Sequence, residues 1–269
     1  MADPLTDTLR ITVLQSPGHL VGPKERLDWL SRHLDGFAGE KPDVVVLPEL
    51  FQCGYNIGDD VNTWAEHRDG PFAQAVARLA QSHGSSLIYG YAEQAGKRLY
   101  NSAQAIGWNG TTLGHHRKLL LPPGYEGDHF SPGRDCVLFD LGGFRVAMLV
   151  CYDVEFPENL RHVAMAGADL VVVPTALAAK WSVVSEKLVP TRAFENGVFV
   201  AYANHCGEEN GLSYHGGSCI VGPDGADLAR AGAAAGAICA VLDWGEVAKA
   251  QARLPYHRDR AFLPWVNES

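Results

Sequence analysis

DVVVLPEL, residues 43–50, and DLVVVPTA, residues 169–176, carry an aspartate, a run of mostly β-branched residues and a proline at the same offsets. Each reads as a buried strand of a covered sheet. The matches continue outward in both directions. LRITVLQ (9–15) before the first copy is answered by FRVAMLVCYD (144–153) before the second. PKERLDWLSRHLDGF (23–37) predicts a helix, with Pro23 near its start and Leu27, Leu30 and Leu34 on one stripe, and PENLRHVAMAGA (157–168) answers it. Downstream, PFAQAVARLAQSHG (71–84) predicts a helix with Phe72, Val76, Leu79 and Ala80 inward and Gly84 as its stop. SSLIYGYAE and LYNSAQAIG follow as strands joined by a tight turn, and WNG (108–110) makes the next hairpin. VFVAYANHC answers SSLIYGYAE, and GGSCIVGPDGADL answers NSAQAIGWNGTTL down to a glycine turn in the same place.

The chain thus reads as two copies of one β-α-β-α-β-hairpin plan. Neither copy is long enough to cover both faces of its own sheet, so the simplest packing puts two sheets face to face with helices outside. The predicted fold class is α/β, a four-layer αββα sandwich of two pseudo-repeated halves. Two unrelated α/β halves with generic buried strands are the alternative.

The 269 residues are 46% hydrophobic and 20% charged, an ordinary globular composition. Lys plus Arg number 22 against 31 Asp plus Glu, a formal charge of −9, so a phosphate backbone is repelled on average and no nucleic-acid partner is expected. The N-terminal MADPLTDTLR has neither a basic start nor an apolar core, and no apolar stretch approaches the roughly 20 residues that span a bilayer. These features predict a soluble, cytoplasmic protein with no membrane partner. Its six cysteines need no disulfide framework in so long a chain and read mostly as reduced, small apolar residues. HCGEENGLSYHGGSC (205–219) lacks metal-ligand spacing, and no metal is expected.

Ligands of α/β sheets gather beyond the carboxyl ends of strands, where Glu49, Lys118 and Cys151 fall. Singly each has an ordinary explanation: a solvated strand-end Glu, a surface Lys, a buried thiol. Together they supply a nucleophile, a base and a cation for a developing oxyanion. No GxSxG elbow is present. A Cys–His pair with His115, His116 or His129 as base stays open, although none has a local signature tying it to Cys151.

These residues lie in LPELFQCGYN, HHRKLLLP and CYDVEFPENLR, followed by GADLVVVPTAL, TRAFENGVFVAYAN and GGSCIVGPDG. In that order, over nearly the whole chain, they resemble the nitrilase superfamily of carbon–nitrogen hydrolases. The resemblance implies one such domain over 1–269, the αββα sandwich, a homodimer or higher homo-oligomer, and no cofactor. It implies Cys151 as nucleophile, Glu49 as general base then acid, and Lys118 with the Tyr152 backbone N–H at the oxyanion. It also implies an assisting carboxylate after the lysine, Glu126, with Asp128 as competitor.

Tyr152–Asp153 after the nucleophile resembles the amidase branches more than true nitrilases, which usually carry Trp then Glu. GYNIG, CYDVEFPENLR and YANHCG resemble aliphatic ω-amino-amidases, such as enzymes converting 5-aminopentanamide to the amino acid. The substrate implied is a small aliphatic carboxamide, with Tyr55, Tyr152 and Glu155 at its binding site. An acidic rim of Glu155, Glu208 and Glu209 would attract a cationic tail, although Glu155 would also suit the start of a helix. N-carbamoyl amide or nitrile hydrolysis with the same three residues, and a non-catalytic scaffold, are the alternatives. At the thiol, Lys118 and the positive end of a following helix are expected to favour thiolate.

Overall fold

The computed structural model describes residues 7–37, 39 and 41–267. The first half runs β1 (Thr8–Pro17), α1 (Gly22–Asp35), β2 (Val44–Val46), a single turn α2 (Val61–Trp64), α3 (Pro71–His83), β3 (Ser86–Ala95), β4 (Arg98–Ile106) and β5 (Thr112–Arg117). A connector holds α4 (Tyr125–His129) and β6 (Leu138–Leu141). The second half runs β7 (Phe144–Met148), α5 (Pro157–Met165), β8 (Leu170–Pro174), α6 (Val189–Asn196) and β9 (Phe199–Ala203). It continues through three two-residue strands, β10 (His205–Cys206), β11 (Glu208–Glu209) and β12 (Leu212–Ser213), to β13 (Cys219–Val221) and β14 (Asp227–Arg230). β15 (Gly236–Asp243), α7 (Trp244–Arg253) and α8 (Tyr256–Arg260) come last.

One sheet has the order β10-β1-β2-β3-β4-β5 with β15 also on β1, and the other the order β14-β13-β9-β8-β7-β6. In each, three parallel strands are followed by two antiparallel ones. Their facing surfaces share one core, in which Ile11, Val13, Val46 and Ile88 meet Val146, Met148, Val172 and Ala201. On the outer faces Leu30, Leu34 and Val76 pack on Val45 and Leu87, and Leu160, Val163 and Val189 pack on Val171 and Val200. Each such buried aliphatic contributes about 1.5–3 kcal/mol, which is what holds four layers together. The architecture is the αββα sandwich.

The repeat extends to hydrogen bonds. Asp43 Oδ2 accepts the Arg10 N–H at 2.7 Å, and Asp169 Oδ2 accepts the Arg145 N–H at 2.8 Å. In return the Asp43 and Asp169 N–H groups donate to Arg10 O and Arg145 O at 2.9 and 2.8 Å. The shared aspartate therefore locks the register of the first and second parallel strands in both halves.

The structure departs from the sequence reading in places that matter for the site. DVVVLPEL is strand only over Val44–Val46; Pro48 has no N–H for the ladder, and Leu50 turns the chain away at φ 47°. On α1 the predicted stripe holds, with Leu30 and Leu34 buried and Leu27 partly buried against the same core, but the buried set also takes in Gly22, Arg26 and Trp29. A guanidinium is tolerated there because Leu20 O and Glu209 receive it. VFVAYANHC is not one strand: β9 ends at Ala203, and His205–Cys206 crosses to pair with Ser16–Pro17.

Candidate active site

Glu49 sits one residue past Pro48, where the chain crosses β3 at Gly90. A Cβ on Gly90 would lie 2.4 Å from Leu50 N and 2.6 Å from Glu49 Cα, so only glycine admits this turn. The turn is held across the halves: Glu49 N donates to Thr175 O at 3.3 Å, and His205 Nε2 contacts Glu49 O at 2.8 Å. His205 Nδ1 faces Ser16 Oγ at 2.9 Å. Burial, with the positive charge of Arg26, pushes His205 down to about 3, so the ring is neutral: Nε2–H donates to Glu49 O and Nδ1 accepts from Ser16.

The Glu49 side chain is fully buried. Its Oε1 receives Lys118 Nζ at 2.7 Å and Asn101 Nδ2 at 2.6 Å, while Oε2 is buried with no partner among the described residues. Lys118 Nζ donates to Glu126 Oε1 at 2.6 Å, which also accepts the Tyr55 hydroxyl at 2.8 Å. Asn101 Nδ2 reaches Glu126 Oε2 at 3.1 Å. Glu126, from α4, is thus the carboxylate brought to the lysine; Asp128 is exposed on the other side of that turn.

Cys151 comes after β7 and opens the 3-10 turn Cys151–Glu155 at φ 46°, a backbone region that costs a non-glycine residue on the order of 1 kcal/mol and projects the thiol sharply off the strand end. The first bond of the turn is Asp153 N to Val150 O, 3.0 Å, so the Tyr152 N–H lies ahead of it at the open end. Asp153 is buried and ties the turn to the lysine loop. Its carboxylate accepts the N–H groups of Val150 (3.1 Å), Leu119 (3.1 Å) and Leu120 (3.0 Å) and stands 3.4 Å from His116 Nε2.

The charges set the protonation states. For Lys118 burial works against the ammonium, but Glu49 and Glu126 outweigh it and hold the group well above the ordinary lysine value. Glu49 is pushed up to about 7 by burial, with Lys118 opposing and Glu126 assisting. The Cys151 thiol is pushed up by burial and by Glu49; Lys118 opposes without overcoming them. The expected thiolate is therefore corrected: the two carboxylates outnumber the single ammonium, and Cys151 opens a five-residue 3-10 turn rather than a long helix. The resting sulfur is a thiol beside a carboxylate that titrates near neutrality.

Residues 10–252 match the family described as carbon-nitrogen hydrolase. This chain belongs to the carbon–nitrogen hydrolase family. It is 39% identical to the "Hydrolase in pqqF 5'region" of Pseudomonas protegens, over 94% of this chain and 89% of that one. It is 31% identical to an (R)-stereoselective amidase of Pseudomonas sp, over 87% and 86%. Among solved structures it is similar to an amidase from Nesterenkonia sp. with a TM-score of 0.83 and 32% identity, covering 94% of this chain and 96% of the other. A variant of the amidase from Nesterenkonia sp. AN1, 31% identical with a TM-score of 0.83 over 95% of this chain and 97% of that one, shows covalent addition of the acetamide moiety of fluoroacetamide at the active site cysteine.

The remaining residues expected at the site of this carbon–nitrogen hydrolase fall in different places. The histidines have partners away from the thiol: His115 Nε2 faces Glu93 at 2.9 Å, His116 faces Asp153, and His129 Nε2 faces Asp59 at 3.1 Å. Glu155 is half-buried beside the site, where burial raises its carboxyl while Lys118 and Arg192 pull it down. Glu209 does not belong to a free acidic rim; its carboxylate is buried against Arg26. Glu208 is exposed. Tyr55 touches Glu126, and burial raises its hydroxyl so that it stays a donor. The Tyr152 ring packs edge-on against Phe156 at 5.0 Å.

Among the described residues no group of His, Cys, Asp and Glu is arranged to hold a metal, and no helix is long and apolar enough to cross a membrane. All six cysteines are free, with Cys53, Cys206 and Cys219 buried and Cys239 exposed. Sequence reasoning missed Asn101, Asp153, Thr175 and His205. Thr175 had a signal, since it occupies the Glu49 position of the repeat; its hydroxyl donates to Tyr202 OH at 2.9 Å, and its influence on Cys151 is in the direction of thiolate.

Proposed function

We propose that this enzyme is a cysteine-dependent amidase that hydrolyses a small aliphatic carboxamide to its acid and ammonia through a thioester on Cys151. The observation that carries the reading is the division of labour at Glu49. Oε1 is occupied by Lys118 and Asn101, and Oε2 is buried and free, at a carboxylate whose affinity for a proton is tuned to about 7.

Cys151 Sγ attacks the amide carbon while its proton passes to Glu49 Oε2. The C–S bond forms as the carbonyl π pair moves onto oxygen, and that oxyanion is stabilised by the Lys118 ammonium and the Tyr152 N–H. Collapse breaks the C–N bond, and Glu49 returns the proton to the leaving nitrogen, which departs as ammonia. Water then gives its proton to Glu49, with Glu126 orienting it, and adds to the thioester. The second collapse releases the carboxylic acid and restores the thiol.

Glu155 supports a finer reading, in which the acyl chain carries an amino or other cationic end. Arg192, beside it, is engaged by the protein: Nη2 donates to Glu155 O at 2.7 Å, Nε to Val154 O at 3.1 Å, and Nη1 to Glu195 at 3.1 Å. That commits three of its five N–H donors to the protein itself, which speaks against Arg192 gripping a substrate carboxylate and so against the N-carbamoyl amide alternative. The experiment is ammonia release across ω-amino-amides, neutral amides of equal length, nitriles and carbamoyl compounds, run beside Cys151→Ala and Glu155→Gln. The expected result is no turnover by Cys151→Ala, with a preference for ω-amino-amides that Glu155→Gln reduces. Full turnover by Cys151→Ala would falsify the mechanism, and equal rates on charged and neutral amides refute the cationic-tail reading. The reading includes one domain, a cytoplasmic location and a homodimer or higher homo-oligomer; sedimentation velocity tests the last.

A further inference from the structure

Beneath the Tyr55 loop lies an ion pair that the acyl-transfer steps do not use. Arg26, from the first half, and Glu209, from the second, are 0% and 5% exposed, with Nη2 and Oε1 3.3 Å apart. A buried pair is weak evidence for stability, because desolvation offsets the attraction; a better-attested use is to enforce one arrangement of the groups around it. Here those groups include two backbone N–H groups. Glu209 Oε2 accepts the Tyr55 N–H at 3.0 Å, the Asn56 N–H at 2.7 Å and the Tyr214 hydroxyl. The carboxylate reaches them because residue 54 is glycine: a Cβ at Gly54, whose φ is 105°, would lie 2.3 Å from Glu209 Oε1.

We propose that Glu209, held by Arg26, is a positioning residue: it sets the backbone of Tyr55, whose hydroxyl in turn holds Glu126 against Lys118. The proposal rests on the reading that Glu126 serves in the acyl transfer. Tyr55 stands at the centre of the chain of contacts, bonded through its backbone to Glu209 and through its side chain to Glu126 at 2.8 Å. No contact of Glu209 with the reacting atoms is required.

The test is a double-mutant cycle of Glu209→Gln and Tyr55→Phe, read as kcat and KM for ammonia release well below the melting temperatures. Cys151→Ala in the same assay decides the acyl-transfer reading separately. Each single variant is expected to lower kcat about 10- to 100-fold, with KM changed by less than about threefold. The double variant should be no slower than the slower single, because the second change breaks a link already broken. Losses that multiply overturn the proposal. So does wild-type kcat in Tyr55→Phe, or a Glu209→Gln protein that melts earlier yet turns over normally. If Glu209→Gln does not fold, Tyr214→Phe removes one donor from the same carboxylate and enters the same cycle. A kcat loss that vanishes in the Tyr55→Phe background supports the proposal; an unchanged kcat, or equal losses in both backgrounds, overturns it.

Discussion

At Glu49 the two oxygens of one carboxylate have different neighbours, and this asymmetry has consequences for pH. The free base form grows as pH rises through about 7, while the Lys118 ammonium and the Cys151 thiol, both displaced upward, keep their protons across the neutral range. With a neutral amide, kcat/KM should therefore fall about tenfold per unit below pH ~7 and show no descending limb just above it. A profile already flat from pH 5 would remove Glu49 from the proton transfer. Glu49→Gln should lose on the order of 10²–10⁴ in turnover with its fold retained, checked by ammonia release beside circular dichroism. Lys118→Ala should behave differently, since it strands two buried carboxylates. Besides losing the oxyanion cation it should cost about 3–5 kcal/mol in urea unfolding, a penalty Cys151→Ala does not share.

The elements deliver these side chains because their ends are irregular. β2 stops at Val46, and the next four residues fold over β3 at Gly90. Gly90→Ala should leave the sheets intact, by circular dichroism, and still lower kcat by about 10²-fold, because the added methyl pushes the backbone at Glu49 by about 1 Å. Asp153 does the corresponding work between the Cys151 turn and the lysine loop. Asp153→Asn keeps the shape but turns acceptors into a donor facing N–H groups, so both activity and melting temperature should drop in parallel assays. Glu49, Lys118 and Cys151 were legible because each is a polar or reactive residue at the end of an apolar run, where water or function must explain it. Asn101 and Asp153 were not: the groups they tie together, Glu49 and Glu126 for Asn101 and the Leu119 and Leu120 N–H groups for Asp153, come from segments 25 to 52 residues away in sequence.

Across the whole molecule the two halves are tied by exchanged strands. β6, which comes after the first half, pairs antiparallel with β7 of the second, and β15, which ends the second, pairs with β1 of the first over Thr8–Gln15. β10 crosses as well, carrying His205 to the back of Glu49. Leu242 on β15 is fully buried in the core between the sheets, and Leu242→Ala should cost about 2–5 kcal/mol, read as a lower urea midpoint with an unchanged slope. The sequence by itself determined the repeat, the two parallel cores and the three strand-end residues, because hydrophobic period and proline and glycine positions are local properties of a chain. Only the tertiary structure decided that Glu126 rather than Asp128 meets Lys118, that the thiol rests protonated, and that Glu209 is spent on Arg26. Those outcomes depend on which charges share a dry space and on how many of each sign are there, and that is settled by how separate segments of the chain pack together.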